Sequence, residues 1–151
     1  MNFDRKVSKI LCAVDFSEES EKAVEFAYSI ILPHNDATLY LLHVVKPVYA
    51  PIGDGAGAAE ILIEQNDQLL KEGRDKIENL AKAIRSRGFE KVHGIVRSGE
   101  PVTAILDTVN EFKVDLVVMG NKKHGFRKGI LLGSVSERVS ANSPVSVLIV
   151  R

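Results

Sequence analysis

The chain reads as an α/β protein, a doubly wound five-stranded parallel sheet with helices on both faces. Three observations predict this. Short apolar runs rich in β-branched residues recur along the chain, and they run on without the polar alternation of a half-exposed strand. Segments with apolar residues at helical spacing separate them. Strand and helix patterns alternate throughout, which is the signature of βαβ units and a parallel sheet.

Ile10 to Val14 is the first such run, followed by Asp15-Phe16-Ser17. Ser17 can cap a helix whose first turn carries Glu18 and Glu19, both favourable to the helix dipole. Ala23, Val24, Ala27, Ile30 and Ile31 form its inner stripe, and Pro33 closes it. Thr38 to Val45 is the second strand. Lys46 to Glu60 contains Pro47, Pro51, Gly53, Gly55 and Gly57, has no periodicity, and predicts a loop. A long amphipathic helix is expected over Ile61 to Arg87, with Leu62, Leu69, Leu70, Ile77, Leu80, Ala81 and Ile84 inward and Gly73 weakening its middle. Val92 to Val96, interrupted by Gly94, suits an edge strand. Pro101 fits the first position of a third helix with Val102, Ile105, Leu106, Val109 and Phe112 inward.

The most informative stretch comes next. Leu116 to Met119 is a buried-strand pattern that stops at Gly120. A loop with Gly125, Gly129, Lys122, Lys123, Arg127 and Lys128 leads to Gly133-Ser134, and Ser134 with Glu137 reads as a capping box that opens a fourth helix. A strand, a glycine loop and a helix N-terminus together suit an anion, because backbone N–H groups and the positive end of the dipole converge there. The plainer reading is a turn that uses glycine for its angles and lysine for solubility. Ser143-Pro144 ends the helix, and Val145 to Val150 is the last strand.

Composition limits the function. The 151 residues suit one domain, taken here as 1–151. Lys plus Arg equals Asp plus Glu at 20 each, which disfavours wholesale binding of nucleic acid or of a membrane surface. No apolar run is long enough to span a bilayer and the first residues lack a signal-peptide core, so the cytoplasm is expected. The single cysteine, Cys12, lies in an apolar run and reads as a small buried hydrophobe.

Catalytic and metal motifs fail when tested. Phe126 stands where a P-loop lysine belongs after Gly120-x4-Gly125. The loose G-x-G-x-x-A from Gly53 to Ala58 begins too far beyond its strand to bind a dinucleotide. His34, His43, His93 and His124 are not at metal-ligand spacings, and Ser134 lacks a nucleophile elbow. No catalytic residue is assigned, so a binder is expected before an enzyme. Asp15, at the end of the first strand, faces the glycine loop if the first and fourth strands are neighbours. It then either contacts a ligand or adds a second cap to the first helix.

These residues resemble the universal stress protein family. Ile10-Leu-Cys-Ala-Val-Asp-Phe-Ser-Glu-Glu-Ser20, Leu41-Leu-His-Val-Val45, Gly99-Glu-Pro101, Met119-Gly120, Gly133-Ser134-Val135-Ser-Glu-Arg-Val139 and Ser143-Pro-Val145 carry the likeness. Nucleotide-binding members have G-x2-G-x9-G-[S/T] at the fourth strand's exit. This chain keeps Gly120, Gly133 and Ser134 in register but has Lys123 in place of the second glycine, with Gly125 close by and out of register.

The resemblance implies a strand order 3-2-1-4-5, a homodimer and an ATP or AMP site at the crevice, with Mg2+ an optional companion. It implies that Ala13, Val14 and Asp15 line the adenosine, that Val44 meets the adenine edge, and that Gly99 flanks the ribose. Met119, Gly120, Gly133, Ser134 and Val135 would hold ribose and phosphates, with Lys123 contributing charge. The dimer would form through Val145 to Val150, an apolar edge. Other members of the family bind no nucleotide and act as dimeric adaptors, which is the alternative for this chain.

Overall fold

The computed structural model describes residues 6–49, 56–121 and 132–151. In chain order the elements are β1 (Lys9–Ala13), α1 (Glu18–Ile31), β2 (Thr38–Val45), α2 (Ala56–Arg85), β3 (Val92–Ser98), α3 (Pro101–Phe112), β4 (Leu116–Gly120), α4 (Ser134–Asn142) and β5 (Ser146–Val150). The strands form one parallel sheet in the order β3-β2-β1-β4-β5, as expected. β3 and β5 are its edges.

Two apolar layers cover the sheet. On one face Ile10, Cys12, Leu39, Leu41 and Val118 pack with Ala23, Val24, Ala27 and Ile31 of α1 and with Ile77, Ala81 and Ile84 of α2. On the other, Leu11, Leu42, Val117 and Met119 meet Val102, Ile105 and Val109 of α3 and Val139 of α4. Strands enclosed between two helix layers need apolar residues in consecutive positions, which explains the unbroken runs in the sequence. Cys12 is fully buried, and burial pushes its thiol up to about 12, so it packs as a hydrophobe and is no nucleophile.

The helix ends follow local chemistry. Ser17 caps α1, accepting from the Ser20 N–H. Glu100 caps α3 by accepting from the Thr103 N–H at 2.9 Å, and Pro101 takes the first helical position. That hydrogen bond, aided by Arg138 of α4 at 3.2 Å, holds the Glu100 carboxyl below the usual carboxylate range.

Two expectations are corrected, and the place of Gly73 is explained. α2 begins at Ala56, so the segment expected as loop up to Glu60 is helical in its last turn. Gly73 does not interrupt α2; a Cβ there would lie 3.1 Å from His43 Cδ2 and 3.2 Å from Val45 Cγ2, so glycine lets the helix settle onto β2. The cap of α4 is Gly133 and not Ser134: Gly133 is the last extended residue, at φ −70° and ψ 154°, and its carbonyl accepts the Glu137 N–H. With Ser134 already helical, the Ser134–Glu137 box does not form.

At the end of the sheet where β1 and β4 begin, Asp115 ties the two strands together. Its Oδ2 accepts from the Ser8 N–H at 2.9 Å, the Ser8 hydroxyl at 2.9 Å and the Lys9 N–H at 2.8 Å. Burial alone would raise this carboxyl, but those hydrogen bonds and the Lys9 charge outweigh it and hold it below its ordinary 3.8. A carboxyl lowered in the folded state adds stability above its unfolded value, and that stability is lost as pH falls through the folded value. Acid melts should therefore show a loss of stability that sets in below about pH 4. Asp115→Ala should melt lower at pH 7, by about 1.5–3 kcal/mol for a charged hydrogen-bonded group, and the gap to wild type should narrow in acid.

Candidate nucleotide site

The carboxyl ends of β1, β2 and β4 open onto a cavity of about 290 Å3. Ala13 pairs with Leu42 of β2 on one side and with Met119 of β4 on the other, and all three line the cavity. The cavity sits between β1 and β4, where the direction of winding reverses, and in open α/β sheets this is the place for a ligand.

Of the eleven residues proposed from the sequence, Ala13, Val14, Asp15, Val44, Met119, Gly120, Ser134 and Val135 line this cavity together. Gly133 is buried directly before them. Gly99 is not in the wall; its N–H donates to the Val45 carbonyl at 3.0 Å, and its φ of 142° suits glycine at the turn from β3 to α3. Lys123 lies outside the described residues.

The wall has members the sequence reading passed over: Ser17, Ser20, Leu42, Lys46, Pro101, Ile105 and Ser136. Ser17 and Ser20 were read as part of a helix start, and Lys46 as loop. Their common signal is position at a strand exit or helix entry, and only the sheet order turns that into a shared wall. Lys46 brings a positive charge to it.

Three helix N-termini reach the cavity, those of α1, α3 and α4, and they differ electrostatically; that of α3 is capped by the Glu100 carboxylate. α1 has a side-chain cap and three acidic residues in its first turn, Glu18, Glu19 and Glu21. Its positive end is already compensated. α4 has no side-chain cap and only Glu137 in its first turn. An anion is therefore better served at Ser134 to Ser136.

Asp15 serves the turn as well as the wall. Its Oδ1 accepts from the Ser17 N–H at 3.0 Å and from the Ser17 hydroxyl. Asp15 thus secures the entry to α1 while it lines the cavity. Asn121, buried directly after β4, was not singled out from the sequence. Its N–H donates to the Val150 carbonyl at 3.0 Å, and its Oδ1 accepts from the Gly133 N–H at 2.9 Å. One side chain thus closes the base of the 122–132 connection and places Gly133 at the foot of α4.

The physical need for glycine also differs from expectation. Gly133 has ordinary extended angles that any residue adopts. At Gly120 the requirement comes from packing: a Cβ would lie 2.4 Å from the Glu19 carbonyl oxygen and 2.5 Å from its carbon. Backbone stands in the way, and no rotamer change can relieve that.

The donor set fits an adenine nucleotide in outline. An apolar slot (Ala13, Val14, Leu42, Val44, Met119, Ile105) leads to hydroxyls and an uncapped helix end. Among the described residues no group of three or more His, Cys, Asp or Glu could hold a metal.

Fold and cavity define a doubly wound α/β protein with a small-molecule crevice at its switch point. The model of the universal stress protein family matches residues 6–151, and the chain belongs to that family. It is 32% identical over 148 residues to universal stress protein YxiE of Bacillus subtilis, covering 95% of this chain and 99% of that one. Universal stress protein MJ0577 of Methanocaldococcus jannaschii is 31% identical over 154 residues. Its solved structure superposes with a TM-score of 0.79, covering 95% of each chain. A universal stress protein solved in complex with cAMP has a TM-score of 0.62 at 25% identity, covering 96% of this chain and 97% of that one.

Gly120→Ala should destabilise the ligand-free protein by about 1–3 kcal/mol, the usual effect of overpacking, because the first turn of α1 must move off β4. Thermal melts without ligand check this; an unchanged melting temperature would place the need for glycine in ligand contact alone.

Proposed function

We propose that this chain is an adenine-nucleotide-binding universal stress protein, a single cytoplasmic domain over 1–151 that works as a homodimeric regulatory module with at most slow ATP hydrolysis. The observation that carries the reading is the convergence of Ala13, Val14, Asp15, Val44, Met119, Ser134 and Val135 on one cavity beside the uncapped end of α4. The cAMP complex of a family member supports the choice of an adenine nucleotide. In this reading the apolar slot takes the base and Asp15 accepts hydrogen bonds from the ribose or an amino group. The first-turn N–H groups of α4, helped by Lys46 and Lys123, meet the phosphates of ATP or AMP. Occupancy changes a surface read by a partner protein. That no helix among the described residues is long and apolar enough to cross a membrane agrees with this setting.

The competing reading is a nucleotide-free dimeric adaptor of the same fold. It draws on Lys123, which stands where the second glycine of the nucleotide motif belongs. Mass spectrometry of small molecules released from gently purified protein, followed by calorimetric titration, separates the two. ATP or AMP should co-purify and bind. Asp15→Asn retains the acceptor that closes the Ser17 turn but loses the charge, so affinity should fall roughly ten-fold or more with little change in melting temperature. No binding at millimolar ATP, with binding gained in Lys123→Gly, would establish the adaptor.

The dimer reading is supported by β5 at the sheet edge, with Val147, Leu148, Ile149 and Val150 only partly buried. Sedimentation at micromolar concentration should give a dimer, and Val147→Pro should shift it toward monomer by removing a ladder hydrogen bond.

A further inference from the structure

The turn from β1 into α1 contains an unusual residue. Phe16 has φ 60°, and the only other described non-glycine residue at positive φ is Lys113, the C-cap of α3. A bulky aromatic in the left-handed region is an outlier that surrounding contacts must hold in place. Those contacts lie behind the sheet, on the face of α1 and α2, away from the cavity. The Phe16 ring packs against the His43 imidazole with centroids 4.9 Å apart and planes at 59°. Lys76 of α2 places its Nζ 5.8 Å from the centre of the Phe16 ring. His43 in turn bonds the turn's backbone: its Nδ1 is 2.8 Å from the Val14 carbonyl oxygen. A carbonyl only accepts, so Nδ1 carries the proton and donates.

His43 thus holds the chain on both sides of Asp15. Val14 is held through its carbonyl and Phe16 through its ring. With both neighbours anchored behind the sheet, Asp15 is left on the cavity side, where its Oδ1 closes the Ser17 turn. Gly73 makes room for this arrangement, since a Cβ there would lie 3.1 Å from His43 Cδ2. Alternation along β2 explains the division of labour: Val44 faces the cavity, and His43, one residue before, faces the opposite layer.

We propose that His43 is a positioning residue for the ligand site, acting through Val14 and Phe16 to set the Asp15 carboxylate at the cavity. This rests on the nucleotide reading above. The test compares His43→Leu, His43→Asn, Asp15→Ala and the double variant His43→Leu/Asp15→Ala by two measurements. One is amide hydrogen exchange in the ligand-free protein, and the other is titration with ATP and AMP. His43→Leu should speed exchange at the Ser17 N–H while leaving amides of β4 and β5 protected. It should weaken nucleotide binding roughly ten-fold, and it should add little once Asp15 is already alanine. His43→Asn puts an amide donor where Nδ1 was and should recover most of the affinity. The proposal is overturned if His43→Leu leaves Ser17 exchange unchanged, if it lowers protection evenly across the sheet, or if its loss of affinity adds in full to that of Asp15→Ala. A wild-type protein that binds neither nucleotide overturns the functional reading instead, and exchange at Ser17 then decides alone whether His43 governs the turn.

Discussion

The close approach of α1 to the end of β4 is the constraint on which the site depends. The Glu19 backbone lies where a side chain at position 120 would be. That contact brings the entry of α1 to the exit of β4, although about a hundred residues separate them in sequence. The Asp15 turn and the start of α4 both line the cavity at this end. The apolar layers supply the gross driving force for folding, but they are non-directional. A backbone contact with no room for one methyl group gives this end of the molecule its geometry.

The two ends of the sheet are secured differently, and each arrangement suits its role. Where β1 and β4 begin, the Asp115 carboxylate accepts three hydrogen bonds and binds the strands rigidly. Where they end, most polar groups are arranged around space. Ser17 and Ser20 serve α1, Asn121 pins Gly133, and the first turn of α4 lacks a side-chain cap. Under the proposed function such an asymmetry suits a small molecule, because backbone donors at the start of α4 are left for it. The electrostatic difference between the starts of α1 and α4 adds direction, because the first turn of α1 carries three acidic residues and that of α4 one.

The sheet also separates contact from support. Residues that face the cavity sit one pleat away from residues that hold them from behind. Val44 and His43 are the clearest pair, and the chain around Asp15 repeats the pattern with Phe16 turned to the rear.

Much of this was legible in the chain itself. Consecutive apolar runs between helix-period segments require a parallel sheet with two covered faces, because no other arrangement buries both sides of so many strands. Ser17, Pro101 and the end of β4 at Gly120 follow from capping and turn chemistry, which acts within a few residues. Eight of the eleven proposed residues line one cavity because strand exits gather at one end of such a sheet. What the chain did not disclose depends on partners distant in sequence. Ser134 looked like a cap until Asn121 drew the Gly133 N–H and fixed the last extended residue one position earlier. Gly73 looked like a weak point until it met His43 and Val45. Gly120 suggested a loop glycine, whereas the carbonyl of Glu19 explains it. Local propensity determined the elements and their order, and long-range packing decided which residues face the cavity and why they must be small.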